Sequence, residues 1–194
     1  MLRAVGSLAT LAVFVAGDLA AQATYRGAPS GRATTTVVFT PVVPQGTPPE
    51  QRPAPHSVKI DYGQPHARGR AVAGGLIPHG TVWRLGANEA TALTTTVDLE
   101  IGGKMVPKGE YTLFALATAN SMQLIVNKKT GQWGTQYDEA TDLVRIPMML
   151  HTRSESVPGL QITLEPGAAD APLSGTLRVV WGTVDAMVPY TAKP

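Results

Sequence analysis

TTVDLEIGGKMVPKGEYTLFAL, residues 95–116, decides the fold. Val97, Leu99 and Ile101 alternate with Thr96, Asp98 and Glu100, the period-two pattern of a half-buried strand. Gly102-Gly103 then supplies the positive φ angles of a tight hairpin turn. Pro107-Lys108-Gly109 makes a second turn, and YTLFALA beyond it is apolar on both faces, as a central strand must be.

The pattern continues in both directions. VKIDYG (58–63) alternates upstream, and MQLIVN (122–127), LVRIPMML (143–150), LQITLE (160–165), TLRVVWG (176–182) and DAMVPY (185–190) follow downstream. About nine short strands at this spacing suit a β-sandwich or a barrel. The one helical candidate is YDEATDLV (137–144), short and acidic, with Asp138 as N-cap. The expectation is an all-β, antiparallel sandwich or barrel-like domain with one short helix, spanning 57–190 and followed by a tail at 191–194.

Two segments precede that domain. Residues 1–23 read as an export signal: Arg3 at the positive end, AVGSLATLAVFVAG as the apolar stretch, and Ala21-Gln22-Ala23 as a small-x-small cleavage site. The apolar stretch is shorter than the roughly 20 residues a bilayer-spanning helix needs. The segment is either a cleaved signal peptide or a retained anchor that contacts the membrane. Residues 24–56 read as a Pro-rich linker or arm, because Pro41, Pro44, Pro48, Pro49, Pro53 and Pro55 interrupt helix and ladder alike. Within it, TTTVVFTPVV (34–43) reads either as an edge strand or as a segment lying along a partner.

Composition removes several classes of function. The formal net charge is +2 and no Lys/Arg run is present, which argues against nucleic acid as a partner. There is no cysteine, hence no disulfide, thiol nucleophile, thiolate metal site or lipid-anchor cysteine. An exported protein that relies on its core alone fits a bacterial periplasm, either free there or held at the outer side of the cytoplasmic membrane. No G-x-S-x-G elbow, Walker lysine or Rossmann spacing occurs. No catalytic residue and no cofactor are assigned. His56, His66, His79 and His151 are scattered; a zinc site would require His66 and His79 to meet with Glu89 as third ligand, and no metal is expected.

Three polar stretches interrupt the apolar chain: QPHARGR (64–70), VWRLGANEA (82–90) and NKKTGQWGTQYDEA (127–140). The first two bring Arg68, Arg70, Trp83, Arg84, Asn88 and Glu89 forward as ligand-binding or clasp residues. An arginine fork matches a carboxylate, supplied either by Glu89 or by a ligand, and Trp83 offers a flat face for stacking. In the clasp reading Glu89 pairs with an arginine of this cluster, and removing Arg84 strands a buried carboxylate at a cost of about 3 to 5 kcal/mol. In the ligand reading a concave pocket holds an arginine that has no protein carboxylate. The third stretch offers Asn127, Lys128, Trp133 and Tyr137 as a loop-borne surface, or else a hairpin loop in which Trp133 folds back as an apolar plug.

GRAVAGGLIPHGTVWRLGANEAT (69–91), IGGKMVPKGEYTLFAL (101–116), VNKKTGQWGTQYDEATDLVRIPM (126–148) and GTLRVVWGTVDAMVPY (175–190) together resemble the bacterial family catalogued as domain of unknown function 2911. The likeness runs from about Ser57 to Tyr190. It implies an exported, β-rich protein and brings no reaction, cofactor or catalytic residue with it. Many members carry a tyrosine near the position of His79, which weakens a metal role there. The Pro-rich lead from Pro41 to Pro55 is not a feature of that resemblance.

Two functions fit these features. One is a non-enzymatic assembly module, an accessory subunit that docks through its arm on the periplasmic side of a membrane protein complex. The other is a periplasmic small-ligand binder, or an enzyme, built on the Arg/Trp/Glu cluster.

Overall fold

The computed structural model describes residues 30–194; the readings of residues 1–23 lie outside them. Ten strands follow in order: β1 (Gly31–Phe39), β2 (His56–Gln64), β3 (Val82–Trp83), β4 (Thr91–Thr95), β5 (Asp98–Ile101), β6 (Lys104–Val106), β7 (Gly109–Ala117), β8 (Met122–Asn127), β9 (Asp142–Pro166) and β10 (Ser174–Lys193). They form one antiparallel sheet ordered β1-β2-β4-β7-β8-β9-β10-β5-β6, with β3 paired to β7 off this path. The all-β expectation holds, and the ladder stays open rather than closing into a barrel. Among the described residues no helix is long and apolar enough to cross a membrane.

The deciding stretch folds as its pattern requires. Val97, Leu99 and Ile101 are buried, and Gly102 and Gly103 turn the chain at φ +56° and +76° so that Ile101 pairs with Lys104. β7 is buried from Tyr111 to Ala115 because β4 and β8 flank it and both of its faces are covered.

Four expectations shift. The helix over 137–144 is only a 3-10 turn at Glu139–Thr141, although the Asp138 carboxylate does accept from the Ala140 amide (3.1 Å) as an N-cap. LVRIPMML and LQITLE belong to the single strand β9, and TLRVVWG and DAMVPY to the single strand β10. The residues between each pair, 151–159 in β9 and 183–184 in β10, stay in strand rather than forming a turn. The β9–β10 register slips on either side of Gly182, a bulge that redirects the strands without ending them. Gly182 sits there at φ +58°, and a methyl group on it would stand 2.8 Å from Val72.

The domain also begins before Ser57. Of the two readings of TTTVVFTPVV the structure adopts the edge strand: β1 pairs with β2 from Gly31↔Gln64 to Phe39↔His56. The prolines are confined to the connecting loop, where the Thr47 hydroxyl donates to the Pro44 carbonyl (2.7 Å) and Arg52 Nε to the Thr47 carbonyl (2.8 Å). The segment at the C-terminus is likewise no loose tail, since β10 pairs with β5 as far as Lys193↔Asp98.

β9 and β10 are long enough to serve both halves of the sheet. β9 pairs first with β8 and then with β10, while the end of β10 turns to β5. This curls the sheet until β2 faces the second half of β9. The Ile162 amide donates to the Tyr62 hydroxyl (3.0 Å), the Leu164 amide to the Thr35 hydroxyl (3.2 Å) and the Leu160 amide to the Pro65 carbonyl (2.9 Å). The enclosed core includes Ile60, Leu93, Leu113, Leu124, Ile146, Val179 and Trp181.

Candidate functional site

The connection from β2 to β4, residues 65–90, crosses one end of this core. It is anchored by Ile77, which is buried, and by amide bonds from Ala67 to Pro158 (2.8 Å) and from Ile77 to Val72 (2.8 Å). Short β3 lays Trp83 inside, where its ring stacks on Trp181 at a centroid distance of 5.9 Å and an interplanar angle of 19°.

After Trp83 the chain turns twice through the left-handed region, at Leu85 (φ +49°) and Asn88 (φ +63°). Leucine adopts this conformation at a cost of order 1–3 kcal/mol, so its surroundings must hold it. Leu85 is fully buried, and its carbonyl accepts from the Thr91 hydroxyl (2.8 Å). The Ala87 amide donates to the Gly63 carbonyl (3.1 Å). Only glycine at 63 allows this approach, because a methyl group there would collide with the Ala87 carbonyl.

The third polar stretch closes on this turn. The Gly134 amide donates to the Asn88 carbonyl (3.0 Å), the Ala90 amide to the Gln132 carbonyl (3.2 Å), and Glu89 and Trp133 form an antiparallel bridge. The two motif runs therefore make one short ribbon.

Between this ribbon and the 65–80 loop lies a cavity of about 510 Å³ lined by Arg70, Leu76, Trp83, Arg84, Asn88 and Trp181, among others. Arg84 donates from Nε to the Gly86 carbonyl (3.2 Å), and Arg70 donates from Nε to Ala67 (3.0 Å) and from Nη2 to the His66 carbonyl (3.1 Å). Neither arginine has a carboxylate partner among the described residues. Both are held by neutral acceptors, with terminal nitrogens left over. Arg68 stands in the left-handed turn before Gly69 and does not line the cavity.

The clasp inside the cluster does not form. Glu89 is more than half exposed and takes its hydrogen bond from Arg32 Nη1 (2.8 Å), on β1. Arg32 also pairs with Asp61, which accepts from the Thr34 hydroxyl as well (2.8 Å). Arg32 was not a candidate, since it belonged to the supposed linker. The register of β1 on β2 is what brings it here.

A second cavity of about 360 Å³ is lined by Arg32, Glu89, Glu110, Tyr111, Thr112 and Gln132, among others. Gln132 is 7% exposed, and neither Nε2 nor Oε1 has a hydrogen-bond partner. Leaving a buried amide unpaired costs about 1–3 kcal/mol. The sequence signal for Gln132 is its place in the Gln-Trp-Gly run, beside the more conspicuous Trp133.

The loop candidates divide. Asn127 is fully buried and satisfied: its amide donates to the Asp138 carbonyl and to Asp142 Oδ1 (both 2.9 Å), and its oxygen accepts from the Lys129 amide (3.0 Å) and the Thr141 hydroxyl (2.9 Å). Tyr137 donates to Asp142 Oδ2 (2.6 Å) and accepts from Arg145 (2.8 Å). Burial, followed by the hydrogen bond to Asp142, pushes the Tyr137 phenol up to about 12. Its ring meets Phe114 edge-on at 4.9 Å. These two residues fix the loop. Lys128 is exposed, and Trp133, at 48% exposure, is not the expected plug. Tyr137 fills that place against Phe114.

His66 and His79 do not meet Glu89. His66 packs over Gly159 and His79 over Gly74. His79 shares a smaller cavity, about 130 Å³, with His151. Among the described residues no group of three or more His, Asp or Glu is placed to hold a metal.

Away from these three cavities, Asp185 on β10 is buried between Arg178 (Nη2 at 2.7 Å) and Arg153 (3.4 Å). The hydrogen bonds from Arg178 outweigh burial and hold its carboxyl below the usual carboxylate range.

Fold and cavity together define an antiparallel all-β domain whose glycine-dependent loops present two arginines over a tryptophan floor. The family described as "Protein of unknown function (DUF2911)" matches residues 45–190, and the chain belongs to that family. The match begins at residue 45 and takes in Pro48, Pro49, Pro53 and Pro55 of the Pro-rich lead, which lies outside the motif resemblance. No curated protein and no solved structure matches the chain.

Proposed function

We propose that the protein binds a small ligand bearing an oxyanion, a carboxylate or a phosphate, in the cavity between Arg70 and Arg84. One observation carries this reading: Arg84 lines a cavity of about 510 Å³ with no carboxylate partner among the described residues. The size lies within the roughly 300–1,000 Å³ of small-molecule sites. Nε is fixed on the Gly86 carbonyl, which leaves the Nη1–Nη2 edge as a fork for two oxygens. Each charge-assisted bond is worth about 1.5–3 kcal/mol. Trp83 and Trp181 give the ligand an apolar floor.

Melting curves of the full chain and of Arg84→Ala against a panel of small carboxylates and phosphates test the proposal. A ligand at about a hundred times its Kd stabilises by about 2.7 kcal/mol. At least one compound should raise the wild-type melting temperature and leave the variant unmoved. Equal shifts in both proteins, or none in either, count against it.

The N-terminal sequence supports export, and the periplasm is the compartment we assign. A second proposal, the assembly subunit, draws support from Val42, which stands wholly exposed on the Pro-rich loop. Native mass spectrometry of protein released from its own membranes tests it. Release together with other chains, lost on deleting residues 41–55, supports it; release alone counts against it.

A further inference from the structure

β9 and β10 pair without slippage from Val184↔Thr152 to Met187↔Met149, which sets Met149 and Met187 directly opposite each other. We propose that these two methionines, together with His151, form a binding site for Cu(I). The proposal stands apart from the oxyanion reading, since it uses other residues.

Strand alternation fixes the face on which they meet. Ile146 and Met148 on β9, and Ala186 and Val188 on β10, are buried in the core. Met149 and Met187, between them in sequence, point the other way; Met149 is 55% exposed and Met187 half-buried. Directly opposed side chains have Cβ atoms about 4.5–5.5 Å apart. Each thioether sulfur lies two bonds beyond its Cβ on a flexible stem, so both sulfurs can reach one ion between them. His151 lies two positions from Met149 on the same face of β9 and is exposed.

The donor set selects the metal. Thioethers are soft ligands that favour Cu(I), and imidazole suits copper as well. The chain has no cysteine, so methionine is its only source of a sulfur ligand. The carboxylate opposite His151, Asp185, is already spent. Its Oδ1 accepts from Arg178 Nε (2.9 Å), and its Oδ2 from Arg178 Nη2 (2.7 Å) and Arg153 Nη1 (3.4 Å). It therefore offers no free oxygen to a hard divalent ion, which would need several. Glu165 pairs with Arg178 too (3.3 Å), so two carboxylates balance the two guanidinium groups beside the site. On the other side Pro147 and Pro189 stand on the same face and are exposed, and they bring no polar side chain.

The test titrates the full chain, labelled with 13C-methyl methionine, with Cu(I) in anaerobic competition with bicinchoninate. The Met149 and Met187 methyl signals should move together and saturate at a single equivalent. Met105, which is 51% exposed but lies opposite Glu100, should stay in place. Met149→Leu, Met187→Leu and His151→Ala should each weaken binding by about tenfold or more, and Zn(II) should not displace the copper. Arg84→Ala should bind copper as the wild type does, which separates failure here from failure of the oxyanion proposal. Absence of saturable uptake overturns the proposal, as does a Met105 signal that moves in step with Met149. Displacement by Zn(II), or wild-type affinity in either leucine variant, overturns it as well. If a leucine variant fails to fold, His151→Ala, altered at an exposed position, decides alone.

Discussion

Gly134 lies against Arg84 so closely that a methyl group in place of its hydrogen would stand 2.7 Å from Arg84 Cδ and 2.8 Å from the Asn88 carbonyl oxygen. The Gln-Trp-Gly run thus sets where the arginine of the Trp-Arg run can lie. Gly134→Ala must push Arg84 aside or open the ribbon, and overpacking of this kind costs about 1–3 kcal/mol. Urea unfolding should show that loss, and oxyanion binding should weaken along with it.

Arg84→Ala is expected to be mild for the fold. It strands no carboxylate, because Glu89 is paired with Arg32, and it removes a single hydrogen bond to the Gly86 carbonyl. The expected cost is about 0.5–1.5 kcal/mol, against the 3 to 5 kcal/mol or so of a buried clasp. Thermal melts without ligand discriminate between the two values.

Arg32→Ala should also change stability little. Its side chain is 47% exposed and that of Glu89 57%, and ion pairs in such positions contribute about 0–1 kcal/mol. Salt should reduce even that contribution. Chemical unfolding at low and high ionic strength checks both statements.

Asp185→Asn tests the buried charge on β9 and β10. The native carboxyl titrates below its unfolded value, so it contributes stability above about pH 4 that drains away as the pH falls through the native pKa. The variant should lose about 1–3 kcal/mol at pH 7 and much less at pH 3. Unfolding curves across that range should show a shallower acid limb than in the wild type.

Much of this fold was legible because the informative patterns are local. Leu99, Ile101 and the Gly102-Gly103 turn carry their own register, and β7 announces its central place by being apolar on both faces. What escaped depends on distant partners. β1 reads as part of a linker until its Thr/Val run is set against β2, and the bulge at Gly182 lets β10 pass through a stretch that reads as a break. At the site, the Trp-Arg run was visible because Trp83, Arg84, Asn88 and Glu89 stand close together in a chain that is otherwise mostly small and apolar. The pairing of Glu89 was not visible, since Arg32 lies 57 positions away and is brought over only by β1. Trp133 and Tyr137 show the same limit: either aromatic could cover Phe114, and the Asn127–Asp142 hydrogen-bond network selects Tyr137.

The central claim is that Arg84, with Arg70, holds an oxyanion. Titration of the arginine Nε–Hε resonances with inorganic phosphate and with succinate tests it most directly. The account predicts that the Arg84 and Arg70 signals move together and saturate with at least one of the two, while Arg145 and Arg178, already engaged by carboxylates, stay in place. Small unsaturable shifts spread over every exposed arginine, with Arg84 no different from the rest, would contradict it.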